Sequence, residues 1–288
     1  MNQTSTIIFR RLVERGNKTA SIRYLTPSEQ EQYQSIAPSE GDPFAHPLST
    51  RERLKEIHYS WMITFLEPFT KKDKIFILAS LEKKQASKLQ KHFQIKEKDF
   101  PPIKKVGKDY LVRALYDWLI SDQKEFLPIE FLPKHPLSPL LTLTKNELQA
   151  LVDYLGLHDL ALELKHVIKA DQIKKIQNVL SKEEQEYLKK QIKRKEPISF
   201  ARLNLDGWNG DGEKLKAILH HRGFNRLAKA LFGCHPSFLW HLCHKIDTGR
   251  AKILRKFFTD IKNDEAQSVL INQTLEIIPL VKNGSVHE

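Results

Sequence analysis

The sequence predicts an all-α chain built from helical repeat units, and three observations carry that expectation. Glycine is scarce, at 11 in 288 residues, while helix formers such as Lys, Leu, Glu and Gln abound. Strict apolar–polar alternation, the pattern of a half-buried strand, hardly occurs. The stretch 153–195, DYLGLHDLALELKHVIKADQIKKIQNVLSKEEQEYLKKQIKRK, reads as three short helices that announce their own starts and stops.

In that stretch Asp159 opens the run DLALELKHVI, which places Leu160, Leu164, Val167 and Ile168 on one stripe. Asp171 is the candidate cap of a second helix with Ile173, Ile176 and Val179 on one face. Ser181 and Glu184 form an S-x-x-E capping box for a third, which carries Tyr187, Leu188 and Ile192 and is stopped by Pro197. Helices this short draw their stability from neighbours. Side-by-side stacking of such pieces is the logic of an armadillo-like solenoid.

Taken in order, residues 1–50 are polar and punctuated by Pro27, Pro38, Gly41, Pro43 and Pro47, which predicts a tail or docked arm with one short helix near 28–35. RERLKEIHYSWMITFLEPF, from Arg51, places Leu54, Ile57, Trp61, Met62, Phe65 and Leu66 on an apolar face that ends at Pro68. Thr70 and Asp73 open two further short helices with Ile75, Leu78, Leu81, Leu89 and Phe93 inward. At a shift of 98 residues Met62 falls on Leu160, Leu66 on Leu164, Phe69 on Val167, Asp73 on Asp171, Ile75 on Ile173 and Leu78 on Ile176. One inserted residue later Leu81 falls on Leu180, Leu89 on Leu188 and Phe93 on Ile192. Two copies of one unit explain this register; the alternative is that two amphipathic patterns share a period.

Between the copies lie Phe100-Pro101-Pro102, the amphipathic helix DYLVRALYDWLI at 109–120, and a stretch with Pro128, Pro133, Pro136 and Pro139 that reads as a stiff spacer. Thr144 and Glu147 form a second capping box before NELQALVDYL. Beyond Pro197, Gly207, Gly210 and Gly212 surround Trp208 in a connector that Asp211 ends as an N-cap. Helices are expected at 215–231, 237–246 and 250–258, then a fraying end with an apolar run at 275–281. The expected domains are an arm at 1–50, a helical unit at 51–125, a Pro-rich linker at 126–143, a second unit at 144–197, a helical subdomain at 198–262 and a tail at 263–288.

The net charge of +12 favours an acidic protein, a nucleic acid or an anionic membrane surface as partner; solvated lysine faces are the plainer account. Two cysteines, Cys234 and Cys243, suit a reducing compartment and exclude a disulfide scaffold. The start lacks an apolar signal-peptide core and no stretch approaches the ~18 apolar residues of a membrane span, so a cytoplasmic protein is expected.

No P-loop, G-x-S-x-G elbow or glycine-rich dinucleotide turn is present, so no enzyme and no cofactor is expected. Cys234, His235, His241, Cys243 and His244 are of zinc-binding type, but without a C-x-x-C pair and with ligands on different helix faces they read as packing, and no metal is expected. RLAKALFGCHPSFLWHLCHKI, within 222–246, has the outline of a helix-turn-helix, with Lys229 where a small residue belongs and an apolar second helix. The remaining candidate is surface recognition of a protein. Trp240, His244, Asp247 and Arg250 form a corner of aromatic anchor, acid and guanidinium, and Arg222 and Arg226 supply a basic face.

A resemblance adds to these readings. Leu148-Gln149, Asp159-Leu160-Ala161 with Leu164-Lys165, Asn178 with Ser181-Lys182, and Pro197-Ile198 are similar to FliG, the flagellar motor switch family, over about fifty residues. His58-Tyr59-Ser60-Trp61 is similar to a His-x-Ser-Trp pattern of SctK-type adaptors of type III secretion systems. The resemblance implies a non-enzymatic scaffold at the cytoplasmic face of an inner-membrane ring, contacting ring and platform proteins. NELQALVDYL, with Lys145 just before it, offers only Lys145, Glu147 and Asp153 where the flagellar family presents alternating charges to the stator, which favours the secretion adaptor over a torque role.

Overall fold

Four helices begin in the same way. Thr26, Ser49, Thr144 and Ser181 each accept a hydrogen bond from the backbone N–H three residues on, while Glu29, Glu52, Glu147 and Glu184 reach back to the amide of the capping residue. Each box satisfies two orphan donors, and loss of such a cap costs about 1 kcal/mol. Thr70 and Asp211 cap two more helices by accepting from Asp73 N and Lys214 N.

The computed structural model describes residues 3–16, 18–36, 48–96, 100–165, 170–194, 198, 201–203, 205 and 208–284; among these it is all-helical, with no strand. In chain order the helices are α1 (Gln3–Gly16), α2 (Pro27–Ser35), α3 (Thr50–Lys55), α4 (Ser60–Leu66), α5 (Lys71–Leu78), α6 (Lys83–Phe93) and α7 (Lys105–Ile120). Then follow α8 (Lys145–Leu164), α9 (Ala170–Val179), α10 (Lys182–Lys193), α11 (Gly212–Ala230), α12 (Pro236–Lys245), α13 (Thr248–Phe257) and α14 (Asp264–Gly284). Short 3-10 turns occupy Thr19–Tyr24, Ile129–Phe131 and Ser138–Thr142. No helix of the described residues is long and apolar enough to cross a membrane.

The chain divides into two compact units, one of Met1–His135 with Cys234–Ala251, the other of Pro136–Gly233 with Lys252–Glu288. The division runs between His135 and Pro136, in the proline-rich stretch. It also passes twice through the expected 198–262 subdomain, whose middle belongs to the first unit and whose flanks belong to the second.

In the first unit α3, α4 and α5 lie against α7, and Leu54, Met62, Leu66, Leu78, Leu89, Val112 and Leu115 form a core that Trp240 of α12 completes. The stretch from Arg51 forms two helices, α3 and α4, with His58 in the break. The N-terminal arm is docked: Ile7 and Val13 of α1 are buried, and the buried Arg11 guanidinium donates from Nη2 to Leu132 O at 2.8 Å. The short helix expected at 28–35 is α2, while 37–47 lie outside the described residues. The proline-rich spacer is packed rather than extended. Leu127, Leu137, Leu140 and Leu143 are buried, because prolines at the first turns of short 3-10 segments set chain direction without denying the leucines a core.

In the second unit α8 is central, with α10, α11 and α14 packed on it. The break expected before Asp159 does not occur; α8 runs unbroken for 20 residues and Asp159 is buried within it. Asp171 lies in the first turn of α9 instead of preceding it. The expected frayed end is α14, whose Leu270, Thr274, Ile277, Ile278 and Val281 are buried. Two glycines let α8 and α11 approach. A Cβ on Gly156 would stand 2.1 Å from Leu219 O and one on Gly223 1.8 Å from Val152 O.

α9 and α10 span Ala170–Val179 and Lys182–Lys193, within three residues of α5 and α6 at the offset read from the sequence, but α8 is continuous where the first unit has the separate α3 and α4.

Candidate partner-binding surface

The HYSW residues and the corner from Trp240 to Arg250 meet within the first unit. Pro236 enters α12 at its first turn, His235 caps it by accepting from Ser237 N, and the helix delivers Trp240 and His244 to one face, four residues apart. His244 lies between two indoles: its ring is stacked 4.0 Å from that of Trp61 and 3.8 Å from that of Trp240. Phe126 closes the outer side of Trp240 edge-on, with centroids 4.8 Å apart. His244 Nδ1 donates to Trp240 O at 2.7 Å, which fixes the tautomer at that nitrogen.

The backbone is fastened by the same motif. His58 N donates to His244 O at 2.7 Å, Trp61 Nε1 donates to Ile246 O at 2.9 Å, and Thr248 N donates to Ser60 Oγ at 3.1 Å. Ser60 N in turn donates to His58 Nδ1 at 3.3 Å, so His58 acts as the acceptor that starts α4. Lys245, buried on the same helix, pairs with Glu56 Oε2 at 2.9 Å. Asp247 accepts from the Arg250 amide at 3.0 Å and its guanidinium at 2.6 Å. Burial by itself raises the Asp247 carboxyl, but these two bonds and the nearby His58 outweigh it and hold the group below the ordinary aspartate value.

Three corrections follow. Trp240 and His244, expected as exposed anchors, are each only 4% exposed and serve the core. Arg226, expected on an outward basic face, is 0% exposed. It belongs to the second unit, where Nε and Nη2 donate to Asp159 Oδ1 and Nη1 donates to Gln273 Oε1. Arg222 of that unit, part-buried, lies 3.9 Å from Asp159 Oδ2 and donates to Arg202 O. Asp247 and Arg250 alone of the corner residues keep substantial solvent exposure, and they are spent on each other.

The helix-turn-helix reading meets the same obstacle. α12 is buried along its length except at Pro236 and Leu239, so it has no polar face to offer base edges. Among the described residues no group of three or more His, Cys, Asp or Glu is placed to hold an ion. Burial pushes the Cys234 thiol up to about 12, far from a thiolate ligand. Burial takes His241 down to about 4 despite its Nε2 bond to Leu127 O at 2.9 Å.

A surface that the sequence reading passed over lies on α7. Val112, Leu115, Tyr116 and Leu119 fill its inner face, yet Val106, Tyr110 and Trp118 are 82%, 70% and 40% exposed. The available signal was an apolar content too broad for one buried stripe, since 105–120 carries large apolar residues on more than one side. No family model, curated protein or solved structure matches the chain.

Proposed function

We propose that this chain is a non-catalytic cytoplasmic adaptor of a bacterial type III secretion or flagellar base, joining an inner-membrane ring to cytoplasmic platform proteins. The observation that carries the reading is the use made of His58-Tyr59-Ser60-Trp61. His58 and Trp61 bond the backbone of the α12 corner, Ser60 receives Thr248 N, and the Trp61 ring stacks on His244. The four residues similar to the His-x-Ser-Trp pattern thus help to build the first unit, which supports the reading. The all-helical architecture and the basic net charge of +12 fit a scaffold that meets acidic protein surfaces.

The test is affinity recovery of the full chain from detergent-solubilised membranes at physiological salt. Co-purification of ring and platform proteins supports the adaptor. Retention on duplex DNA that falls steeply with salt, in place of those proteins, would replace it with a nucleic-acid-binding role through the surface lysines.

A further inference from the structure

On the outer side of α7, Val106, Tyr110, Ala114 and Trp118 recur every fourth residue and all four are exposed. At 1.5 Å per residue the row is about 18 Å long, the length of a three-turn helix contact. It continues beyond α7, because the Phe65 ring stands 4.8 Å from Trp118 and 5.0 Å from Phe69, which is itself exposed. Contiguous exposed apolar surface of this kind marks a place where another molecule sits.

The charges beside the row say which molecule. Lys104 and Lys105 stand exposed at its beginning, and Lys71 and Lys72 follow Phe69 at the other end. Between them Arg113 and Asp117 face each other at 3.7 Å, and the half-exposed Asp109 pairs with Arg51. A nucleic acid backbone or an anionic bilayer would be driven against Asp109 and Asp117. A second copy of this chain would bring lysine ends against lysine ends. A protein helix can match cationic ends and a mixed-charge middle together.

We propose that the Val106–Tyr110–Ala114–Trp118 row docks an amphipathic helix of a partner protein, one with large aliphatic residues at three- and four-residue spacing and acidic residues over the lysine ends. This rests on the adaptor reading for its biological setting but on the exposed row and its neighbouring charges alone for its geometry.

The experiment places p-benzoylphenylalanine at position 110 of the full chain in native cells, irradiates them, and identifies the attached segment by mass spectrometry. The expected product is a protein segment of helical periodicity and net negative charge. Adding Val106→Asp should lower its yield at least tenfold, with an unchanged unfolding midpoint because that side chain is largely in solvent. Attachment to nucleic acid, to lipid, to another copy of the chain or to nothing overturns the proposal. So does a yield unmoved by Val106→Asp. If a Val106→Asp/Tyr110→Asp variant still recovers every ring and platform protein that the wild-type chain recovers, the row is wrong and the adaptor reading stands. If position 110 captures an acidic helix while the wild-type chain recovers no ring protein, the row stands and the adaptor reading falls.

Discussion

Arg226 and Asp159, 67 positions apart, meet inside the second unit: Nε and Nη2 both donate to one carboxylate oxygen, Oδ1, at 2.8 and 2.6 Å. Both side chains are sealed from solvent, and Gln273 of α14 accepts from the remaining arm of the guanidinium at 2.9 Å. One arginine therefore ties together α8, α11 and α14, the three helices on which that unit is built. Removing one partner strands a buried charge, at a cost of about 3–5 kcal/mol, whereas replacing both by apolar groups is often nearly neutral. Arg226→Leu and Asp159→Leu singly should each lower the urea midpoint sharply, and the double variant should recover most of the loss. An unchanged midpoint in both single variants would show that the pair is incidental to stability.

The crossing of α8 and α11 gives a substitution whose sign runs against helix propensity. Alanine in a helix interior is favoured over glycine by about 1 kcal/mol. At Gly223 the added Cβ would meet the Val152 carbonyl at 1.8 Å, so the helices must separate, and such overpacking costs about 1–3 kcal/mol. Gly223→Ala should therefore destabilise. Gly107→Ala on α7, whose nearest contact is the flexible Ile103 side chain at 3.1 Å, should be neutral or stabilising in the same thermal melts.

His241 sets an acid sensitivity in the first unit. Burial holds it neutral down to about pH 4, below the ordinary histidine value of 6.5. Between those values the unfolded chain binds the proton and the folded one does not, so stability rises with pH across the window and is lost as pH falls through it. A shift of that size corresponds to roughly 3 kcal/mol at the acid end. Unfolding by urea at pH 7 and pH 4.5 should show the loss, and His241→Gln, which keeps a donor for Leu127 O, should flatten the dependence.

Trp61→Phe keeps a ring against His244 but deletes the Nε1 donor to Ile246 O. Leaving that carbonyl unpaired should cost about 1–2 kcal/mol. The near-ultraviolet dichroism of the stacked aromatic rings should weaken, read alongside the thermal midpoint. An unchanged midpoint would mean that the HYSW residues do not fasten the corner.

Local signals in the sequence were legible wherever a few neighbouring residues settle the matter. The boxes at Thr144 and Ser181, the cap at Asp211 and the pair α5 and α6 all depend on chemistry within one turn, and each stands where the residues place it. Asp159 shows the limit. An aspartate preceding an apolar run is a good N-cap, yet here its carboxylate answers an arginine 67 residues away, and α8 continues through it. The partner-binding residues suffered in the same way. An arginine, a tryptophan or a histidine on an amphipathic helix reads as surface chemistry until a distant partner is known to cover it.

By itself, the sequence determined that this protein is helical, where most helices begin, and that its surface is strongly basic. Those properties follow from propensity, capping and charge, which act over a turn or less. Only the tertiary structure decided that α1 and α14 are packed helices, that Arg226 and Trp240 are interior, and that α7 keeps an apolar row in solvent. Burial is a property of what comes to lie against a side chain, and nothing within one helical turn records it.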